Sequence, residues 1–84
     1  MRKLASPVNR EIAVFDKVTE ELVQEVDINI SFRTLRRILT PYDNDPYMIM
    51  EYPLDERLAE LLKPHTDLMF DLDKNSYYLS AHAS

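Results

Sequence analysis

The side chains in this sequence that could hold a metal ion or bind a cofactor do not form a recognisable motif. There is no cysteine, and neither of the two histidines, His65 and His82, has a second ligand at metal-binding spacing. The run Asp43-Asn44-Asp45 has the acidic spacing of a calcium loop but lacks the glycine and the terminal glutamate that such a loop needs. Glycine is absent altogether, which excludes glycine-rich phosphate-binding loops. We therefore expect no metal and no cofactor, and we expect residues 43–45 to form a turn.

The residue types needed for catalysis are present, but no motif brings them together. The 15 carboxylates could supply acid–base pairs, yet none stands at a diagnostic spacing, and the serines and threonines lack a nucleophile motif. Arg33, Arg36 and Arg37 could bind phosphate, although such a run is more typical of the solvated face of a helix. We expect that the protein is not an enzyme. Converging carboxylates with perturbed pKa values in a pocket would indicate the opposite.

Charge is distributed unevenly along the 84 residues. The formal net charge is −5, but Arg2, Lys3 and Arg10 lie in the first ten residues, which contain no acidic residue. The rest of the chain is therefore more acidic than the total suggests. Such a body repels nucleic acid and attracts basic proteins, although the same acidity also serves solubility alone.

Five tyrosines accompany these carboxylates, which is more than a core of this size needs. A tyrosine ring provides contact area and its hydroxyl tolerates water, so tyrosines beside acidic residues suit a protein interface. We expect Tyr52 and Tyr77 at the edge of the core. Tyr47 and Tyr78 are then candidates for contact with a partner.

The elements that must position these side chains begin with a hairpin. Residues 11–16 are rich in strand-forming types, residues 17–20 make a turn, and residues 22–30 alternate between apolar and mostly acidic positions. A period of two predicts a half-buried strand. Its predicted inward face consists of Leu22, Gln24, Val26, Ile28 and Ile30, and its predicted outward face consists of Val23, Glu25, Asp27 and Asn29.

Two short helices and three further strands are predicted after the hairpin. Ser31 is a good N-cap for a helix over residues 32–39, and a second helix starts at or near Asp55 and ends around Pro64. Residues 47–52, 67–72 and 77–81 have the patterns of strands. The order strand-strand-helix-strand-helix-strand-strand predicts an α+β domain with an antiparallel sheet of four to five strands.

We place this single domain at residues 10–82, after a loosely ordered lead-in at residues 1–9. The sequence has no apolar run of the length needed for a membrane helix and no secretory signal pattern, so we expect a cytoplasmic protein.

Two blocks of the sequence resemble a known family. Residues 15–21, FDKVTEE, resemble the opening hairpin of the cloacin-type immunity proteins, the small inhibitors that protect bacteria from ribosome-cutting colicins and cloacin. Residues 61–64, LLKP, together with residues 67–80 resemble the closing segment of that family, while residues 27–60 match only in pattern. The chain is also similar to a wider group of small bacterial domains expected among the immunity proteins of polymorphic and contact-dependent toxins.

This resemblance implies a function as well as a fold. An immunity protein binds and neutralises a cognate toxin, here a basic nuclease, and an acidic sheet face would meet it quickly through electrostatic steering. We expect no direct nucleic-acid partner because the body of the chain is acidic, and no membrane partner because it has no long apolar segment. We expect the free protein to be a monomer or a weak dimer. Residues 47–51 differ from the family in the strand that helps choose the toxin, so the toxin is not identified. The alternative is a non-catalytic interaction or scaffold domain with an unknown partner, possibly homodimeric through an exposed strand.

We expect the partner to bind the outward face of the sheet. Val23 and Ile49 are apolar residues on that face, so either they anchor the partner or the predicted register is wrong by one residue. The predicted partner-binding residues are Glu21, Val23, Glu25 and Asp27 from the second strand, Tyr47, Ile49 and Glu51 from the third, and Asp67, Asp71 and Tyr78 near the C-terminal end.

Overall fold

The computed structural model describes residues 8–83, and these residues form an α+β domain as the sequence predicts. One antiparallel sheet contains all four strands in the order β2-β1-β4-β3. The elements are β1 (Val8–Asp16), β2 (Leu22–Ile28), α1 (Phe32–Ile38), β3 (Tyr52–Pro53), α2 (Glu56–Leu62), a short 3-10 helix (Lys63–His65) and β4 (Asn75–Ala83). The predicted lead-in at residues 1–9 lies outside the described residues, except for Val8 and Asn9, which begin β1.

The hairpin between β1 and β2 turns without glycine. The Asp16 carboxylate accepts hydrogen bonds from the amides of Val18 at 2.7 Å and Thr19 at 3.0 Å. These bonds hold the pKa of the Asp16 carboxyl below its usual value, and the bond from Thr19 has the largest effect. Glu20 closes the turn with a φ of 64°, a left-handed conformation that glycine would normally supply.

A bulge in β2 changes which of its residues face the core. Gln24 pairs with Val14, but the next pair along the ladder is Leu22 with Phe15, so Val23 is left between them. The predicted alternation therefore holds for Ile28, which is buried, and fails for Leu22, which is 50% exposed. The sequence prediction of one inward face from residue 22 to 30 is wrong at the hairpin end, because it assumed an uninterrupted period of two.

Both helices begin at the predicted caps. The Ser31 hydroxyl accepts from the Thr34 amide at 3.1 Å, and the Asp55 carboxylate accepts from the Leu58 amide at 2.8 Å. Each cap satisfies one of the backbone donors that a helix leaves free at its start. Pro64 follows α2 within the 3-10 helix and ends the regular helical hydrogen bonding.

The core lies between one face of the sheet and the two helices. Tyr52 and Tyr77 were expected at its edge but are buried within it, at 3% and 2% exposure. The core residues from the sheet are Ile12, Val14, Ile28, Tyr52, Tyr77 and Leu79, and those from the helices and loops are Leu35, Leu39, Met48, Leu54, Leu58 and Leu62.

One predicted strand is shifted and shortened, and another does not form. Residues 47–51 belong to a loop, and only Tyr52 and Pro53 pair with β4. Residues 67–72 keep the predicted alternation, since Leu68, Phe70 and Leu72 pack against the core, but they join no sheet. That segment crosses the core side of the sheet, where the Phe70 ring lies 4.8 Å from that of Tyr77. Its backbone bonds to a side chain and to the following turn: the Asp71 amide donates to the Tyr77 hydroxyl at 2.6 Å, and the Asp71 carbonyl accepts from the amides of Lys74 and Asn75.

Candidate protein-binding surface

The face of the sheet opposite the helices is built from three long strands and the short β3. Residues paired across an antiparallel ladder point to the same side, so the register assigns this side directly. One row across the sheet is Glu25, Ala13, Tyr78 and Pro53, and the next is Asp27, Glu11 and Ser80. A third row at the hairpin end is Leu22, Phe15 and Ser76. We call these three rows the outer face.

Two aromatic rings form the centre of the outer face. Phe15 and Tyr78 meet edge to face, with ring centroids 5.7 Å apart and an interplanar angle of 84°. Ala13 lies in the row next to Phe15 and is only 4% exposed, so the surrounding side chains already cover the sheet here. An open groove of about 460 Å³ runs beside the rings and is lined by Phe15, Asp16, Lys17, Glu20, Glu51, Ser76 and Tyr78.

Carboxylates flank this aromatic centre on both sides. Glu25 and Asp27 are exposed on the β2 edge, while Glu51 stands at the β3 edge within 3.5 Å of the Ser80 hydroxyl. With strands about 4.8 Å apart, the acidic residues of β2 and the β3 edge are separated by roughly 14 Å. This distance suits an interface in which a cationic partner covers the rings and contacts carboxylates at both rims.

The outer face contains only part of the predicted partner-binding surface. Glu25, Asp27 and Tyr78 lie on it, and Glu51 lies at its rim. Glu21 belongs to the turn before β2, and Val23 is the unpaired residue of the bulge, 55% exposed.

The remaining four predicted residues are elsewhere. Tyr47 and Ile49 are exposed on the loop after α1, on the helix side of the molecule, because residues 47–51 do not form the predicted strand. Asp67 lines a separate concavity of about 550 Å³ at the end of β2, whose lining also includes Asp27. Asp71 is an exposed residue within the segment of residues 67–72 that packs over the core. The ten predicted residues therefore do not form one continuous surface.

Sequence reasoning missed a buried polar network that holds the loop after α1. The Asp45 carboxylate is 3% exposed and accepts from the amides of Ile49 and Met50, both at 2.9 Å, and from the Tyr52 hydroxyl at 2.7 Å. Residues 43 and 44 form the predicted turn, but nothing in their pattern signals that the following aspartate is buried. The one signal that could have indicated its burial is its position, since Asp45 stands directly before Pro46 and the apolar run at residues 47–50.

Arg10 completes this network from β1. Its guanidinium donates to the carbonyl oxygens of Met48 and Tyr47, the latter at 2.9 Å. Met48 is fully buried and has a φ of 55°, so the loop is held in a conformation that a non-glycine residue seldom adopts. The network therefore fixes the whole path of the loop from Asp45 to Tyr52.

Opposing effects determine the ionisation of these groups. Burial alone would raise the pKa of the Asp45 carboxyl, but the bonds from Tyr52, Met50 and Ile49 and the Arg10 charge lower it below its usual value. Burial lowers the pKa of Arg10, which nearby Asp45 partly offsets. Burial and the bond to Asp45 raise the pKa of Tyr52. We interpret the role of this network as holding the loop in place, because its groups bond to one another and to the loop backbone.

Among residues 8–83, no three side chains of the metal-binding types converge on a common point. Within the same residues, no helix combines the length and the apolar character needed to cross a bilayer.

Comparison with known proteins gives a family but no function. No curated protein matches the chain. A family profile matches residues 9–80, which include all four strands and both helices apart from the outermost residues of β1 and β4. The chain belongs to this family, which is described as a domain of unknown function, DUF7683.

Proposed function

We propose that this protein is an immunity protein that binds and neutralises a cognate bacterial toxin through its outer face. The observation that carries the proposal is the combination of exposed carboxylates around an aromatic centre on a sheet face that neither helix covers. In this role the protein performs no chemistry of its own and acts inside the cytoplasm of the cell that it protects.

A basic nuclease is the partner that fits this surface best. A nuclease must grip a polyanion, so its substrate-binding surface is positively charged. Glu25, Asp27 and Glu51 would accelerate encounter with that surface, and occupation of the surface would exclude the nucleic acid. The rings of Phe15 and Tyr78 would then slow dissociation, because buried aromatic anchors carry much of the energy of an interface.

The proposed binding surface is narrower than the sequence suggested. It comprises the outer face with its rim at Glu51, and the bulge at Val23 extends it towards Glu21. Tyr47 and Ile49 lie on the helix side and do not belong to it.

The experiment is co-expression with the toxic domain encoded beside the gene, followed by measurement of growth and of binding kinetics. The double variant Glu25→Lys with Asp27→Lys should slow association by about tenfold or more and reduce its dependence on salt. The matched control is Glu56→Lys with Glu60→Lys, which makes the same charge change on exposed positions of α2. The control should bind at nearly the wild-type rate.

A second pair of variants tests the aromatic centre. Tyr78→Ala should raise the dissociation rate with little change in association, whereas Tyr47→Ala on the helix side should change neither. Equal effects of the β2 and α2 charge reversals would reject the outer face as the interface. Absence of both binding and rescue by a folded protein would reject the immunity function itself.

A scaffold role through self-association is the second candidate. β2 is an edge strand, and Leu22 and Val23 on it are 50% and 55% exposed. An edge strand with exposed apolar residues can pair with another chain. Sedimentation of the wild type and of Val23→Lys over a range of concentrations tests this: a dimer that the variant abolishes would favour it, and a monomer throughout would exclude it.

A further inference from the structure

The solvent side of α1 is the most basic surface among the described residues. Arg33, Arg36 and Arg37 are all exposed along this helix, and together with Phe32 they line a shallow concavity of about 450 Å³. No other residue type lines it. We call Phe32, the three arginines and the neighbouring Tyr47 the arginine surface.

No described carboxylate neutralises these arginines. The ion pair between Lys63 of the 3-10 helix and Glu60 of α2 involves none of these arginines. The first turn of α1 contains no acidic residue, and the nearest acids in sequence are Asp27 and Asp43. Three guanidinium groups on one short helix therefore keep their full capacity to bind anions.

The aromatic part of the arginine surface is held rigidly. The guanidinium carbons of Arg10 and Arg36 each lie 5.7 Å from the centroid of the Phe32 ring. Arg10 is itself tied to the carbonyl oxygens of Tyr47 and Met48, so the same buried network fixes the ring and the loop. The Tyr47 ring, 71% exposed, lies 6.4 Å from Phe32 and extends the aromatic area into solvent.

We propose that the arginine surface is a second docking site, whose ligand is a short acidic segment of another protein. The ligand would carry at least two carboxylates for the planar, bidentate bonds that guanidinium groups make, and an apolar side chain between them to cover the rings of Phe32 and Tyr47. Because the Phe32 ring is already held by Arg10 and Arg36, binding would order mainly the arginine side chains.

The dimensions and charge of the molecule favour a peptide over nucleic acid. α1 has seven residues and is therefore about 10 Å long, comparable to the distance over which salt screens exposed charges. All 15 acidic residues lie in the sequence outside this helix, so a long polyanion leaving the site would meet negative surface. Binding of nucleic acid normally requires an extended basic footprint.

This site goes beyond the proposed toxin binding and is spatially separate from it. α1 packs its Leu35 side into the core on one side of the sheet, and the outer face lies on the other side. A basic partner on the outer face and an acidic segment on α1 can therefore bind at the same time. The protein would then connect two partners of opposite charge.

The test uses the full chain and a short fluorescein-labelled peptide of alternating glutamate and leucine, measured by fluorescence anisotropy at low and physiological salt. The peptide should bind, and a peptide with lysine in place of glutamate should not. Arg36→Gln with Arg37→Gln should weaken binding by about fivefold or more, since exposed charge pairs contribute up to about 1 kcal/mol each. Arg57→Gln, which removes one exposed positive charge on α2, is the control for position and should leave the affinity unchanged.

A second variant separates the rings from the charges. Tyr47→Ser should weaken binding of the glutamate–leucine peptide more than binding of a glutamate–serine peptide, which has no apolar side chains to cover the rings. Three results would each overturn the proposal. They are an equal loss of affinity in Arg57→Gln and in the Arg36→Gln, Arg37→Gln variant, no binding of the acidic peptide, and tighter binding of a single-stranded oligonucleotide. Because the toxin is absent from this experiment, its result is independent of the proposed immunity function.

Discussion

The hydroxyl of Tyr52 provides the sharpest test of how the loop before β3 is held. It donates to Asp45 at 2.7 Å and accepts from the Tyr42 amide at 3.1 Å, and the residue is 3% exposed. Tyr52→Phe keeps the ring, including its stacking on Tyr42 at 4.2 Å, and removes only the oxygen atom. The change therefore isolates two hydrogen bonds from the packing around them.

The expected loss follows from the type of each bond. A hydrogen bond to a charged group contributes about 1.5–3 kcal/mol, and a neutral one contributes about 1 kcal/mol. Some of this is recovered if water reaches the vacated position, so we expect Tyr52→Phe to lower the free energy of unfolding by about 2 kcal/mol. For a domain of this size that corresponds to a fall in Tm of roughly 10 °C.

The assay is urea denaturation at neutral pH, followed by far-UV circular dichroism, with the m-value compared between proteins. Tyr42→Phe is the matched control. The Tyr42 hydroxyl is exposed, and its hydrogen bond to the Glu51 carbonyl is long and weak, at 3.3 Å. The control should lie within about 0.5 kcal/mol of the wild type. Two results would refute the conclusion that the network supports this loop. One is a Tyr52→Phe protein as stable as the wild type, and the other is an equal loss of unfolding free energy in Tyr52→Phe and Tyr42→Phe.

Three further predictions concern ionisation, capping and packing. The folded pKa of Asp45 is lowered, so its contribution to stability is complete above its unfolded value of about 4 and is lost as the pH falls further. The stability difference between wild type and Asp45→Asn, measured by urea unfolding, should stay constant near neutrality and shrink below pH about 4; a difference that grows in acid would contradict this. Ser31→Ala and Asp55→Ala should each lower the free energy of unfolding by about 1 kcal/mol, and unchanged midpoints would show that the caps contribute nothing. Leu62→Ala, at a fully buried position, should lower the free energy of unfolding by about 3 kcal/mol. Leu61→Ala, at a position that is 43% exposed, should lower it by less than about 1 kcal/mol. Similar shifts of Tm in the two variants would mean that the buried face of α2 is wrongly assigned.

Local sequence signals predicted the elements whose formation is local. The N-caps Ser31 and Asp55 start helices where expected. The alternation of residues 67–72 predicted which side chains pack, partly buried, against the core, even though no strand forms. These features depend on residues a few positions apart, which a pattern can capture.

The failures arise where distant residues decide the conformation. The apolar run at residues 47–50 has the composition of a strand, but Arg10 and Asp45 bind its backbone and turn it into a loop. The bulge at Val23 depends on how β1 and β2 meet across the hairpin, and it moves Leu22 to the outer face. Glu25, Asp27 and Tyr78, where the period of two is intact, lie on one side of the sheet as the alternation predicted. Their contact with a partner stays a prediction.

The two central strands of the sheet come from opposite ends of the described chain. β1 and β4 pair from Val8 with Ala83 to Asp16 with Asn75, and β3 pairs with β4 alone. On the ribosome, a growing chain that has not yet extruded β4 can form the first hairpin and nascent helices but cannot close the sheet. Folding of this domain would then wait until β4 has been made, and the outer face would come into existence only when that strand docks. Until that moment the nascent chain should be open to proteolysis and unable to bind a partner through this face.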